Sequence, residues 1–84
     1  MTETEVISRI NTSLVDEFEL EPAQMIPQAH LHDDLGLDSL DRVDMVIVLE
    51  KSFNFKIREE EAIREIITLG QIHDYVLGKL HSMQ

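Results

Sequence analysis

Ser39 is the side chain best placed to do chemistry. It lies inside the run DDLGLDSLD, residues 33–41, with Asp38 before it, Leu40 after it and Asp41 next. A hydroxyl beside a carboxylate is first of all a helix start, because Asp38 or Ser39 can accept hydrogen bonds from free N–H groups of a first turn. The acids also suit the positive end of a helix dipole, and Gly36 lets the chain turn sharply just ahead of it. Hydrolytic use of Ser39 is disfavoured. No glycine follows two residues later, and a nucleophile elbow needs a strand before it. The aspartates at 33, 34, 38, 41 and 44 do not have the spacing of a calcium loop. His30 and His32 lack a third ligand, so no metal site is expected.

The elements around Ser39 follow from periodicity. Val6, Ile7, Ile10, Leu14 and Phe18 form an apolar stripe, predicting a first helix from Glu3 to about Glu17, with Thr2 and Glu5 at capping-box spacing. The pattern fades from about Leu20 to Leu37, interrupted by Pro22 and Pro27. Met25, Ile26, Leu31, Leu35 and Leu37 predict that this long loop is packed. A second helix runs from Ser39 to about Ser52. Leu40, Val43, Met45, Val46, Ile47, Val48 and Leu49 make it apolar on more than one face, so it is either central or carries an exposed greasy strip. A short third helix is expected from Arg58 to about Glu65, with Glu59, Glu60 and Glu61 in its first turn. Thr68 and Gln71 have capping-box spacing for a last helix to about Leu80, with Leu69, Ile72, Val76 and Leu80 inward. His73 abuts that stripe and is expected to pack, His81 to be exposed, and Gly78 to fray the end. The fold class is all-α: a small four-helix bundle of three main helices and a short third, with a long loop between helices one and two.

Leu35-Gly36-x-Asp38-Ser39-Leu40-Asp41, followed by Val43 and Asp44, resembles the prosthetic-group site of acyl carrier proteins. The resemblance continues through Leu49-Glu50, Phe53, Ile57, Glu59-Glu60-Glu61-Ala62 and Ile72–Val76, nearly the whole chain. It implies a single carrier domain over 1–84, with 4′-phosphopantetheine on Ser39, derived from coenzyme A and installed by a metal-dependent phosphopantetheinyl transferase. It also implies a non-catalytic role, in which acyl groups ride as thioesters. A carrier needs a reachable hydroxyl at a helix start that tolerates phosphate, and a recognition surface weak enough to release. Asp38, Leu40, Asp41, Asp44, Ile47 and Glu50 are the residues expected to supply that surface.

Seventeen acids against seven bases give a net charge of −10, a poor surface for nucleic acid and a good one for enzymes with basic docking patches. No cysteine is present, which rules out a disulfide framework and a cysteine nucleophile. The start, MTETEVISRI, has no basic region followed by an apolar run, so no signal peptide is expected. No segment approaches spanning length, so no membrane span is expected; a cytoplasmic location and a monomer are separate expectations.

Some positions depart from the commonest fatty-acid carriers. Arg42 stands where a small residue is usual, Arg58 where a proline often opens the third helix, and one extra residue separates Ile57 from Leu69. Residues 39–52 carry three acids and two bases, Arg42 and Lys51, with Lys56 just beyond. Fatty acid biosynthesis is the first pathway expected. A dedicated carrier for polyketide, nonribosomal peptide or specialised lipid assembly is the alternative. A reading of another class is an acidic helical interaction module that is never modified.

Overall fold

A computed structural model describes residues 2–57 and 60–82, with no side-chain detail for residues 60–62. The described residues form four α-helices: α1 (Glu3–Phe18), α2 (Ser39–Phe53), α3 (Glu60–Glu65) and α4 (Leu69–Ser82). Among the described residues there is no β-strand, only one isolated antiparallel bridge between His30 and Thr68.

The first helix starts as expected. Thr2 is its N-cap, and the Glu5 N–H donates to Thr2 Oγ1 at 3.2 Å. The Thr2 hydroxyl donates in turn to Glu5 Oε1. Val6, Ile10 and Leu14 form the buried face, while Ile7 and Phe18 are half-buried at its margins. The helix ends at Glu19, held in the left-handed region at φ 53° with its N–H on the Val15 carbonyl.

The long connection is packed, with a 3-10 turn at Pro22–Gln24. Met25, Ala29, Leu31, Leu35 and Leu37 are buried, whereas Ile26 is exposed. Main-chain bonds tie this segment to the approach of α4. The Leu31 N–H donates to the Ile67 carbonyl, the Leu69 N–H to Ala29, and the Gly70 N–H to Pro27, each at 2.9 Å. Gly36 takes φ 71°, the sharp turn expected of it just before α2.

Thr68 and Gln71 form the expected box: Gln71 N–H donates to Thr68 Oγ1 at 3.3 Å and Gln71 Oε1 accepts from Thr68 N–H at 3.1 Å. Leu69, Ile72, His73 and Val76 are buried, and Leu80 is half-buried. The helix does not fray at Gly78. It continues to Ser82, whose hydroxyl donates to the Gly78 carbonyl. The described part of α3 opens at Glu60; the expected start at Arg58 and Glu59 lies outside the described residues.

Candidate functional site

The start of α2 is built by its acids. Asp41 N–H donates to Asp38 Oδ1 at 2.9 Å, and Asp38 N–H donates to Asp41 Oδ2 at 3.1 Å, a reciprocal capping box. Sequence allows the cap to be Asp38 or Ser39, and the structure assigns it to Asp38. A cap of this kind contributes about 1 kcal/mol to the helix. More to the point, Ser39 is released from capping. It is the first helical residue and it is exposed. Helix geometry leaves the earliest N–H groups without an upstream carbonyl, a setting that accepts a phosphate. The residues present therefore fit a phosphodiester at the Ser39 oxygen.

Below Ser39 the helix turns an unusual amount of hydrocarbon outward. Only Met45 and Leu49 of α2 are buried. Leu40 is 77% exposed, Val43 59% and Ile47 44%. The greasy-strip alternative, not the central helix, is the one realised. A groove of about 650 Å³ opens at Ser39 between α2 and α3, lined by Leu40, Arg42, Val43, Val46, Ile63 and Arg64. Its apolar lining could shelter a hydrocarbon chain. Asp44 and Ile47 face the other way, onto a shallower depression shared with Ser13 and Glu17 of α1 and with Lys51.

The expected recognition residues thus divide. Leu40 belongs to the α3 side, Asp44 and Ile47 to the α1 side, and Asp38 and Asp41 bind one another's backbone. Glu50 is engaged internally. Its Oε2 accepts the Ile57 N–H at 2.8 Å and so closes the segment after α2. Arg42 also reaches inward, donating from Nη1 to the Arg64 carbonyl at 3.0 Å. Neither bond could be read from sequence. Each joins a side chain to a main-chain group in the segment beyond its own helix, for which no local spacing rule exists. The i, i+3 spacing of Val43 and Val46 was the one available sign of the groove.

The histidines stand apart from this site. His30 and His32 both turn to Asp33, at 3.5 and 3.1 Å. The hydrogen bond from His32 holds the exposed Asp33 carboxyl below its ordinary value. Among the described residues no group of three His, Asp or Glu could hold a metal. His73 is buried, as expected, with Nε2 2.8 Å from Asn11 Oδ1. Burial pushes its pKa below the ordinary 6.5, with the Asp74 charge opposing in part. Met25 and Met45 are both core residues, and Met83 lies outside the described residues.

Residues 8–76 match the family described as "Phosphopantetheine attachment site", and the chain belongs to that family. It is 39% identical over 83 residues to "Acyl carrier protein 2" of Ralstonia nicotianae, covering 99% of this chain and 96% of that one. It is 34% identical over 83 residues to an "Acyl carrier protein" of Cyanidioschyzon merolae, covering 99% of this chain and 90% of the relative. Against an "Acyl carrier protein" of Thermosynechococcus vestitus the identity is 29% over 80 residues, 95% of this chain and 98% of the other. Membership implies a covalent 4′-phosphopantetheine group and a carrier's role rather than catalysis. No helix among the described residues is long and apolar enough to cross a membrane.

Proposed function

We infer that residues 1–84 form one acyl-carrier domain whose 4′-phosphopantetheine arm is attached at Ser39. The supporting observation is the exposed Ser39 at the first position of α2, with the capping work done by Asp38 and Asp41. When bound, the arm supplies a thiol that holds an acyl group as a thioester. The chain's own residues fix its root at one point of a rigid helix and offer a surface beside it. A tether raises the effective concentration of its cargo near whichever enzyme is docked.

The docking surface is Asp38, Leu40, Asp41, Asp44, Ile47 and Glu50. Acids at its rim speed encounter with basic patches on the transferase and on acyl-processing enzymes, without slowing release. Asp38 is exposed and Asp41 and Glu50 are half-buried, and the one internal bond each makes leaves a carboxylate further acceptor capacity for such partners. The chain acts as a monomer in the cytoplasm, in fatty acid biosynthesis. A dedicated carrier for polyketide, nonribosomal peptide or specialised lipid assembly is the second reading, favoured by the cations Arg42 and Lys51 on α2. Clustering of the gene with a dedicated ketosynthase or adenylating enzyme would favour that reading.

Incubation with coenzyme A, magnesium and a promiscuous phosphopantetheinyl transferase, followed by intact mass, tests the assignment. One added arm is expected. It should be absent in Ser39→Ala while the helical circular dichroism persists. An unmodified wild-type chain would leave only an acidic helical interaction module, and an arm that survives in Ser39→Ala would move the attachment elsewhere.

A further inference from the structure

The groove at Ser39 is apolar along most of its described lining, yet the charged side chains described there are both cations. They are Arg42 and Arg64, and no acid lines it among the residues whose side chains are described. This is notable in a chain of net charge −10 with only seven lysines and arginines. The Arg42 guanidinium bridges the groove, donating from Nη1 to the Arg64 carbonyl at 3.0 Å. Arg42 lies three residues, about one helical turn, beyond Ser39. Asp38 and Asp41 hold each other's backbone N–H groups in the capping box.

We propose that Arg42 is a specificity-determining residue of the groove, and that it favours an acyl group bearing a carboxylate over a saturated chain of the same length. This rests on the carrier reading with the arm at Ser39. A guanidinium has five N–H donors in a planar fork that matches a carboxylate, and it stays charged at any working pH. One of its nitrogens is committed to Arg64, so further donors remain for a ligand. A saturated chain lying in the groove would cover this cation and return no acceptor, which penalises its entry. An acyl carboxylate brings the acceptor with it, and Arg64 adds a second positive charge at the wall. The hydrophobic lining then takes the methylene part of either chain, so the difference between the two cargoes is set at Arg42.

The test loads wild type, Arg42→Leu and Arg42→Lys with two acyl groups of equal length, one saturated and one ending in a carboxylate. Intact mass reads the loading. A chain that takes no arm indicts the carrier reading rather than the role of Arg42. With loading complete, melting temperatures are compared with each protein's own unacylated holo form. In wild type the carboxylate cargo is expected to raise the Tm by several degrees more than the saturated one, with larger NMR shifts of the Val46 and Ile63 methyls. Arg42→Leu should reverse that order, and Arg42→Lys should keep it with a smaller gap. A wild-type protein stabilised more by the saturated cargo would overturn the proposal, and that comparison needs no variant to fold. An Arg42→Leu change that lowers holo and both acyl forms equally would also overturn it. The guanidinium would then serve only α3 or the phosphodiester.

Discussion

The position of Ser39 at the head of α2 was legible because its neighbours mark a helix start, though whether Asp38 or Ser39 supplies the cap was not. Asp38 and Asp41 cap each other, which leaves Ser39 and Leu40 to the solvent. His73 was legible as a packed residue for a similar reason, since it borders the apolar stripe of α4. Its hydrogen bond to Asn11, on another helix, was not. That pairing has a pH signature. Burial holds His73 below its ordinary 6.5 in the fold. As pH falls through 6.5 the unfolded chain takes up a proton that the folded chain resists, so stability declines until the folded group also titrates. Stability is therefore full above the ordinary value and lost on acidification. Melting curves from about pH 7.5 to about 5.5 should fall more steeply for wild type than for His73→Gln. Parallel curves would mean that the neutral form of His73 is not what the core requires.

Among the elements, the helices with a single buried stripe were the easiest to place. Val6, Ile10 and Leu14 mark α1, and Leu69, Ile72 and Val76 mark α4. The second helix was ambiguous, because an apolar helix can be buried or sticky, and only packing decides. The start of α4 held a feature that no pattern carries. Gly70 lies in the first turn of α4, and a Cβ there would meet the Pro27 carbonyl oxygen at 3.0 Å and Pro27 Cβ at 3.2 Å. Its N–H also donates to that same carbonyl. Glycine lets the loop backbone lie against the helix without displacing Pro27. Gly70→Ala should therefore destabilise by about 1–3 kcal/mol, despite alanine's better helix propensity. Urea denaturation should show a lower midpoint at unchanged slope. A raised midpoint would show that Pro27 yields without cost.

Over the whole molecule, the excess of acids bears on stability and on association alike. A net charge of −10 on 84 residues is self-repelling, and salt screens such repulsion over about 8 Å at physiological strength. Raising ionic strength from about 10 mM to about 150 mM should increase the Tm while weakening capture by a partner with a basic patch. A Tm that is flat or falling with salt would place the excess charge too far apart to matter. The distant joins of the fold were beyond sequence because they run mostly through main-chain atoms. Leu31 bonds to Ile67, Leu69 to Ala29 and Gly70 to Pro27 by backbone groups alone. Every amino acid but proline carries that donor, and all carry that acceptor. The exposed side chains at His30 and His32 can therefore be exchanged wholesale without unstitching the seam, whereas one imino acid at 31, 69 or 70 would cut a thread. The wrap in front of Ser39 is thus a stretch where surface character can be rewritten for new company while the serine stays where it is.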